Sequence, residues 1–286
     1  MYQDNAKGMA KSRTYSHSTV CPTCNGSGYI LTDKATPDSI ALYGDDIPIV
    51  YGEKCPTCNG GYAQRVSTAK RVADIPHAYY DKELKDFDWK LYKDAQGQIV
   101  NLEKQREYAE SFVKDFSAWD EQGLGFYIWS RTKGSGKTFL ASCLCNELIA
   151  RHSIRSRFVS VGSLIDIART KNEGSASRYD GDPIGLLCEC KMLVLDDLGQ
   201  KQSGVEWTND ILFRILDDRM QNKRVTIVTS NIKMSELSLD DRLVSRLHEM
   251  CQPLPLPEYD VRQRETTEKR LAFLRGVGLV KEGGSR

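Results

Sequence analysis

The sequence predicts an α/β protein whose core is a parallel sheet flanked by helices, preceded by a small amino-terminal metal-binding module. Short β-rich runs alternate with helical patterns through the carboxy-terminal half of the chain, the order expected of parallel strands joined by crossover helices. A glycine-bearing loop links one predicted strand to one predicted helix, and two C-x-x-C pairs lie near the amino terminus. The length of 286 residues allows about two domains.

Composition excludes several classes of protein. Hydrophobic residues make up 40% of the chain and charged residues 28%, which argues against a disordered tail, a collagen-like repeat or a membrane protein. No apolar run approaches the roughly 20 residues that cross a bilayer, so we expect a cytoplasmic protein without a membrane partner. The formal net charge is +1, and any affinity for nucleic acid must therefore come from a local basic surface.

The chain divides into four predicted parts: a metal-binding module over 1–71, a linker and amino-terminal helix over 72–121, an α/β core with a lid-like last helix over 122–276, and a tail over 277–286. In the second part, residues 75–92 are interpreted as a connector. The run EKQREYAESFVKDFSAW is interpreted as one helix, because Tyr108, Phe112, Val113 and Phe116 recur at helical spacing. In the core, the predicted strands are FYIWS, RFVSV, MLVLD and VTIVTS.

Four amino-terminal cysteines form two knuckles, CPTCNGSGY and CPTCNGGY. Two residues between thiolates allow one tight turn to direct both sulfurs at one ion, and two such turns complete a tetrahedral shell. The spacing predicts a structural zinc site, with redox pairs or free thiols as the alternative; its ligands are Cys21, Cys24, Cys55 and Cys58. The other five are predicted to be core residues: Cys143, Cys145, Cys188, Cys190 and Cys251.

The knuckles are also similar to the C-x-x-C-x-G-x-G repeat of DnaJ-type chaperones. That family carries four such repeats and a His-Pro-Asp tripeptide, and this chain has neither. A J-domain co-chaperone is therefore not indicated.

The segment RTKGSGKTF follows a predicted strand and opens a predicted helix, as a Walker A loop does. Loop N–H groups face the β-phosphate in such a loop, Lys137 bridges the β and γ oxygens, and the hydroxyl of Thr138 ligates Mg²⁺. Arg131 stands where the Walker A pattern has its first glycine. The alternative to a Walker A loop is a chance match of G-x-G-K-T in a turn. The predicted nucleotide-binding residues are Arg131, Thr132, Lys133, Gly134, Ser135, Gly136, Lys137, Thr138 and Phe139.

The apolar run MLVL ends in two acidic residues, as a Walker B strand does. Asp196 is predicted to hold Mg²⁺ and Asp197 to polarise the attacking water. This second position is more often glutamate in related ATPases, so slow turnover is expected. An acidic turn after a buried strand is the alternative interpretation.

Further polar residues complete the predicted site. Asn231 follows the strand VTIVTS and is predicted to orient the hydrolytic water, unless it only caps a helix. Arg242 and Arg246 lie four residues apart on one predicted helical face, where an arginine would reach the ATP of a neighbouring subunit or would simply be solvated. Arg262 and Arg264 open the last helix, where an arginine would reach the nucleotide in cis or would have no role in the site.

With these motifs in order, residues 75–274 resemble the DnaC/DnaI family of AAA+ helicase loaders, on the course LDDLGQ…W…DILFRILDDR…TIVTSN…RLVSRL. The resemblance implies an AAA+ P-loop ATPase that binds ATP and single-stranded DNA, self-associates through its ATP sites and delivers a hexameric DnaB-type replicative helicase to DNA. The zinc-bearing region is similar to that of the DnaI branch, and the resemblance implies that it contacts the helicase. The implied roles are P loop for Lys137 and Thr138, Walker B for Asp196 and Asp197, sensor 1 for Asn231, arginine finger for Arg246 and sensor 2 for Arg262.

The resemblance also implies that an insertion after the second core strand binds single-stranded DNA. The predicted contacts are Arg169, Lys171 and Arg178 for phosphates and Tyr179 for base stacking, with a polar loop as the alternative that composition alone indicates. Two other functions stay open: an IstB-type transposition ATPase, which shares this core and binds duplex DNA, and a zinc-bearing adaptor that senses ATP with little turnover.

Overall fold

The computed structural model describes most of the chain from residue 69 onward and two short stretches of the amino-terminal module. The described residues are 22–24, 29–32, 51–57, 66, 69–164, 182–199 and 206–277. The strands are β1 Tyr29–Thr32, β2 Tyr51–Lys54, β3 Gly125–Trp129, β4 Ser156–Ser160, β5 Met192–Leu198, β6 Val225–Ser230 and β7 Cys251–Pro255. The helices are α1 Glu103–Lys114, α2 Phe116–Gln122, α3 Lys137–His152, α4 Pro183–Glu189, α5 Glu206–Gln221, α6 Asp241–Met250 and α7 Val261–Gly276.

The core is a five-stranded sheet in the order β4-β5-β6-β3-β7, and every strand pair in it is parallel. Helices connect the strands. Successive residues of β3 face opposite sides of the sheet. Phe126 and Ile128 belong to one buried cluster and Tyr127 to the other, as the alternation of side chains along a strand requires. The predicted fold, a parallel sheet flanked by helices, is therefore confirmed.

Strand β7 was not predicted from the sequence. Its five residues, CQPLP, contain Pro253 and Pro255, and proline cannot donate to a central ladder. The strand lies at the edge of the sheet and pairs with β3 alone, the position at which proline is tolerated. Leu254 is nevertheless fully buried.

The predicted single helix at 103–119 is wrong in one respect, because it is two helices. The backbone leaves the helical conformation at Asp115, with φ −111° and ψ 36°, and α2 begins at the next residue. Phe112 of α1 and Trp119 of α2 both pack on Phe126 of β3, with ring centroids 4.9 and 5.1 Å from that of Phe126.

The segment 75–92 is more than a connector. Ile75, Phe87 and Tyr92 are buried in the cluster that also holds the apolar face of α3. Asn146 of α3 donates hydrogen bonds of 2.8 Å to the carbonyl oxygens of Tyr79 and Lys82. The segment is thus fixed against the helix that follows the glycine-bearing loop. No helix in the described part of the chain is long and apolar enough to cross a membrane.

Candidate nucleotide-binding site

A cavity of about 620 Å³ opens where β3, β5 and β6 end, the edge of a parallel sheet at which ligands bind. Residues from the glycine-bearing loop, from the ends of β5 and β6, from the 75–92 segment and from the start of α7 surround it. They include Tyr79, Lys133, Gly134, Ser135, Gly136, Lys137, Thr138, Phe139, Asp197, Asn231 and Arg262. The fold thus brings the residues of several separate motifs to one cavity.

The loop conformation depends on two of its glycines. Gly134 has φ +79° and Gly136 has φ +92°, values that favour glycine because no Cβ clashes there. A Cβ on Gly134 would lie 2.3 Å from Oδ1 of Asp260. Arg131 is not among the described residues with positive φ, so an arginine fits the position at which the Walker A pattern has its first glycine.

Lys137, the first residue of α3, points back into the loop. Its Nζ donates to the carbonyl oxygens of Ser130 and Thr132 at 3.1 and 2.9 Å, and to Oγ of Ser135 at 3.1 Å. Burial lowers the pKa of Lys137, and the nearby carboxylates oppose that effect. The ammonium is therefore held at the centre of the loop by polar atoms that an anionic phosphate oxygen would replace.

Asp196 of β5 is bonded to the first turn of α3 and to β6. Its Oδ1 accepts hydrogen bonds from the hydroxyls of Thr138 at 3.0 Å and Thr229 at 2.6 Å. The residue is 7% exposed, and burial raises the pKa of its carboxyl group. A buried carboxylate beside a threonine hydroxyl fits a divalent cation, because the cation would offset the charge that burial disfavours.

Asp197 has an uncommon backbone conformation, with φ +61°, in a bulge where the register of β5 against β6 shifts. Its N–H donates to Oγ1 of Thr229 at 3.0 Å. Aspartate and asparagine tolerate the left-handed region better than most residues with a Cβ. This backbone conformation gives a physical reason for aspartate at a position that related ATPases more often fill with glutamate.

Asn231 and Arg262 also line the cavity. Asn231 directly follows β6, and it does not cap the next helical turn, whose N-cap is Lys233. Arg264, by contrast, donates to the hydroxyl of Tyr259 at 3.0 Å and does not line this cavity.

The sequence reasoning missed the contribution of the 75–92 segment to the cavity. Tyr79 and Phe139 have ring centroids 5.3 Å apart, and the hydroxyl of Tyr92 donates to the carbonyl oxygen of Ser135 at 2.8 Å. The aromatic run in IPHAYYDKELKDFDWKLY was the available signal, because aromatic side chains contribute a large apolar area when they pack.

The predicted arginine finger is engaged within its own subunit. Nε of Arg246 donates to Oδ1 of Asp217 at 2.9 Å, and its guanidinium lies over the ring of Phe213, 5.6 Å from the centroid. The guanidinium of Arg242 also lies over the ring of Phe213, 4.8 Å from its centroid. Arg242 forms an ion pair with Asp240 as well. Neither arginine lines the described cavity.

The predicted zinc ligands are described only in part, since Cys21 and Cys58 lie outside the described residues. Strands β1 and β2 are antiparallel and pair Tyr29 with Lys54. Cys24 and Cys55 are buried in one small cluster, and the hydroxyls of Thr23 and Thr57 are 2.6 Å apart. One cysteine of the first knuckle therefore lies near one cysteine of the second. The described residues include no group of three or more metal ligands.

The five other cysteines are all buried, in keeping with a core role. The predicted contacts to single-stranded DNA, Arg169, Lys171, Arg178 and Tyr179, lie outside the described residues.

Comparisons with known proteins agree with this arrangement. Residues 62–269 match the profile of the family described as IstB-like ATP binding protein. The replicative helicase loader DnaC of Escherichia coli (strain K12) is 27% identical over 161 residues, which is 54% of this chain and 59% of DnaC. The chain therefore matches less than two thirds of that relative. The protein YqaM of Bacillus subtilis (strain 168) is 21% identical over 229 residues, covering 78% of this chain and 67% of YqaM.

Solved structures show the same core. A crystal structure of DnaI superposes with a TM-score of 0.51 at 25% identity and covers 68% of this chain and 99% of that one. A crystal structure of the DnaC helicase loader has a TM-score of 0.51 at 23% identity, covering 63% and 99%, which supports the fold alone. The predicted resemblance to DnaC and DnaI is confirmed, and the chain belongs to the IstB-like ATP-binding family.

Proposed function

We propose that this protein is an ATP-dependent helicase loader, which binds ATP and single-stranded DNA and delivers a hexameric replicative helicase to DNA. One observation carries the proposal: Lys137, Thr138 and Asp196 meet at the carboxyl edge of the sheet in a chain whose relatives include DnaC loaders. The relatives support the loader role, and the cavity supports the use of ATP.

The residues of the cavity suit the triphosphate of ATP. The N–H groups of the loop and of the start of α3 would face the phosphate oxygens, and Lys137 would exchange its bonds to loop oxygens for bonds to phosphate. Thr138 and Asp196 would hold Mg²⁺, which when bound neutralises charge on the phosphates. Asp197 and Asn231 line the same cavity and would orient and polarise a water molecule.

Slow turnover is part of the proposal. The side chain of Asp197 is one methylene shorter than that of glutamate, and its backbone conformation at φ +61° restricts the directions in which it can reach. We propose that the enzyme is an ATPase that serves as a timed switch, in which bound ATP persists while the helicase is delivered.

ATP hydrolysis, measured with and without single-stranded DNA, tests this proposal together with co-purification of a replicative helicase from the same source. We expect measurable turnover that Lys137→Ala abolishes, and a stable complex with the helicase. Turnover that survives Lys137→Ala would remove the nucleotide site from the proposal. ATP binding without any turnover, with or without DNA, would favour the adaptor that only senses ATP.

The family profile favours a second function, because it is named for IstB-like proteins. An IstB-type ATPase that guides a transposase would bind duplex DNA. Binding to a labelled duplex and to a single strand of the same sequence and length, with ATP present, separates the two functions. Preference for the single strand supports the loader, and preference for the duplex together with no helicase complex supports the transposition ATPase.

We also propose that the amino-terminal module binds zinc through Cys21, Cys24, Cys55 and Cys58 and contacts the helicase. The proximity of Cys24 and Cys55 supports the first part, since the ligand spacing needs both knuckles at one ion. The second part rests on the resemblance that the cysteine motifs suggest between this module and that of the DnaI branch.

A further inference from the structure

Glu258, which the motifs do not include, accepts hydrogen bonds from three consecutive residues at the start of the glycine-bearing loop. Its Oε1 accepts from the backbone N–H of Arg131 at 2.9 Å. Its Oε2 accepts from the N–H and the hydroxyl of Thr132 at 2.6 and 2.7 Å, and from Oγ of Ser130 at 3.3 Å. Both carboxylate oxygens are therefore used, and each bond has a charged acceptor.

The segment that contains Glu258 also contacts the middle of the loop. Asp260, two residues later, is the N-cap of α7 and accepts from the N–H of Gln263, and its side chain lies against Gly134. The N–H of Arg262 donates to the carbonyl oxygen of Gly134 at 3.2 Å. The loop is thus bonded at two points to the residues that lead from β7 into α7.

We propose that Glu258 is a positioning residue of the phosphate-binding loop, holding the start of the loop in the conformation that binds ATP and joining it to the start of α7. The inference rests on the proposed function, since it takes the loop to be an ATP site. It accounts for the tolerance of Arg131 at the first position of the pattern, because bonds from the N–H groups of Arg131 and Thr132 to one carboxylate fix the backbone there. The side chain of Arg131 pairs separately with Glu236 at 2.7 Å.

Removing the carboxylate of Glu258 changes ATP affinity in opposite directions under the two explanations, loop positioning and charge repulsion. A carboxylate beside a triphosphate site repels the anionic ligand, so removing it should strengthen ATP binding if charge alone matters. If Glu258 holds the loop, removing it should weaken binding. Burial alone would raise the pKa of Glu258, but the bonds from Arg131, Thr132 and Ser130 lower it, so the group is ionised near neutral pH.

Three variants separate these effects. Glu258→Gln removes the charge and turns an amide NH₂ toward N–H donors, whereas Glu258→Asp keeps the charge but shortens the reach by one methylene. Glu236→Gln is the matched control, since it removes a carboxylate that contacts the side chain of Arg131 rather than the loop backbone. Affinity is measured by titration with a fluorescent ATP analogue at fixed Mg²⁺ and salt, and amide hydrogen exchange is followed at Arg131 and Thr132.

We expect both Glu258 variants to lower ATP affinity about tenfold, the factor that the loss of one hydrogen bond to a charged group produces. We expect faster exchange at the two amides and, at saturating ATP, a kcat close to that of the parent, since the preformed loop acts on binding. Glu236→Gln should leave the affinity equal or slightly higher.

Unchanged or tighter ATP binding by both Glu258 variants would overturn the inference, as would a loss of affinity equal to that of Glu236→Gln. Lys137→Ala serves as the separate test of the ATP site. If Lys137→Ala binds ATP as well as the parent protein does, the proposed function fails. If Lys137→Ala loses binding while the Glu258 variants keep it, only the role of Glu258 fails.

Discussion

Thr138 donates a hydrogen bond of 3.0 Å to Oδ1 of Asp196 and so connects the first turn of α3 to β5. Nearly sixty residues separate the two in the sequence, and the parallel sheet brings them together because α3 follows the carboxyl end of β3, close to the same end of β5. A hydroxyl and a buried carboxylate at this distance form half of an oxygen-rich site for a small divalent cation.

Asp196→Asn should weaken the binding of Mg²⁺ without destabilising the folded protein. The amide keeps an oxygen that accepts from Thr138 and Thr229, but it removes the charge that would hold Mg²⁺. We expect ATP affinity in Mg²⁺ to fall at least about tenfold, or about 1.4 kcal/mol, towards the value measured in EDTA. Calorimetric titration with and without Mg²⁺ checks this, and an unchanged Mg²⁺ dependence would contradict the assignment of Asp196.

The same substitution should raise the stability of the protein in EDTA. Burial raises the pKa of Asp196 in the folded state, so the ionised carboxylate opposes folding at neutral pH. Stability of the parent protein should increase as the pH falls through the folded pKa of Asp196, and Asp196→Asn should lack that increase. Thermal unfolding in EDTA across mildly acidic pH measures it, with Asp197→Asn as the control.

Asp197 offers a second test, because the residue that we propose to polarise the water has a φ of +61°. Asp197→Asn should preserve ATP binding and the fold but slow hydrolysis. Asp197→Glu restores the residue that related ATPases more often use, yet we expect it to destabilise the protein by about 1 kcal/mol, since the left-handed region costs most residues with a Cβ about 1 to 2 kcal/mol. Chemical denaturation and steady-state ATPase assays check both, and parental hydrolysis by Asp197→Asn would show that Asp197 does not polarise the water.

Arg219 shows where sequence reasoning stops. It lies in the helical run DILFRILDDR, where an arginine is expected to be solvated, yet it is 0% exposed. Its guanidinium donates to Oγ1 of Thr226 and to the carbonyl oxygens of Leu187, Cys188, Cys190, Lys191 and Val225. It therefore joins α4, the connection from α4 to β5, and the start of β6.

Arg219→Met should lower the free energy of unfolding by at least about 3 kcal/mol, because several carbonyl oxygens would lose their donor in a buried site. Arg214→Met on the same helix is the control, since Arg214 is 62% exposed and should cost less than about 0.5 kcal/mol. Urea denaturation of both variants makes the comparison. Similar values for the two would mean that water replaces the guanidinium of Arg219.

The contrast between these residues shows what the sequence could predict. Strands β3 to β6 and helix α3 follow from local patterns of apolar residues, and the loop follows from the spacing of Gly134, Gly136 and Lys137. Strand β7 and the burial of Arg219 depend on partners that are distant in the chain, and the helix break at Asp115 has no proline or glycine to mark it. Local periodicity contains no information about those partners.

The zinc proposal predicts a local loss of structure. Cys55→Ser should remove zinc and unfold the amino-terminal module while the ATPase core stays folded, since structural zinc supplies folding free energy directly. Cys143→Ser is the control, because Cys143 is buried in α3 and burial raises the pKa of its thiol to about 12. Metal analysis of protein purified under reducing conditions decides the matter: absence of zinc from the parent, or full zinc in Cys55→Ser, would refute the site.

The last prediction concerns self-association. Arg246 does not line the described cavity, and its hydrogen bond to Asp217 uses Nε and neither terminal nitrogen. If Arg246 acts on the ATP of a neighbour, Arg246→Ala should bind ATP nearly normally and lose DNA-dependent turnover by about 10³, the effect of an arginine that acts in trans.

A mixture of Arg246→Ala and Lys137→Ala should then recover part of the activity, because the intact loop of the first protein meets the intact arginine of the second. Asp217→Asn should impair the mixture only when it is placed in the subunit that donates Arg246, since Asp217 orients that side chain. No recovery in mixtures that demonstrably co-assemble would mean that Arg246 serves its own subunit, and Arg242, whose side chain is 62% exposed, would be the next arginine to test.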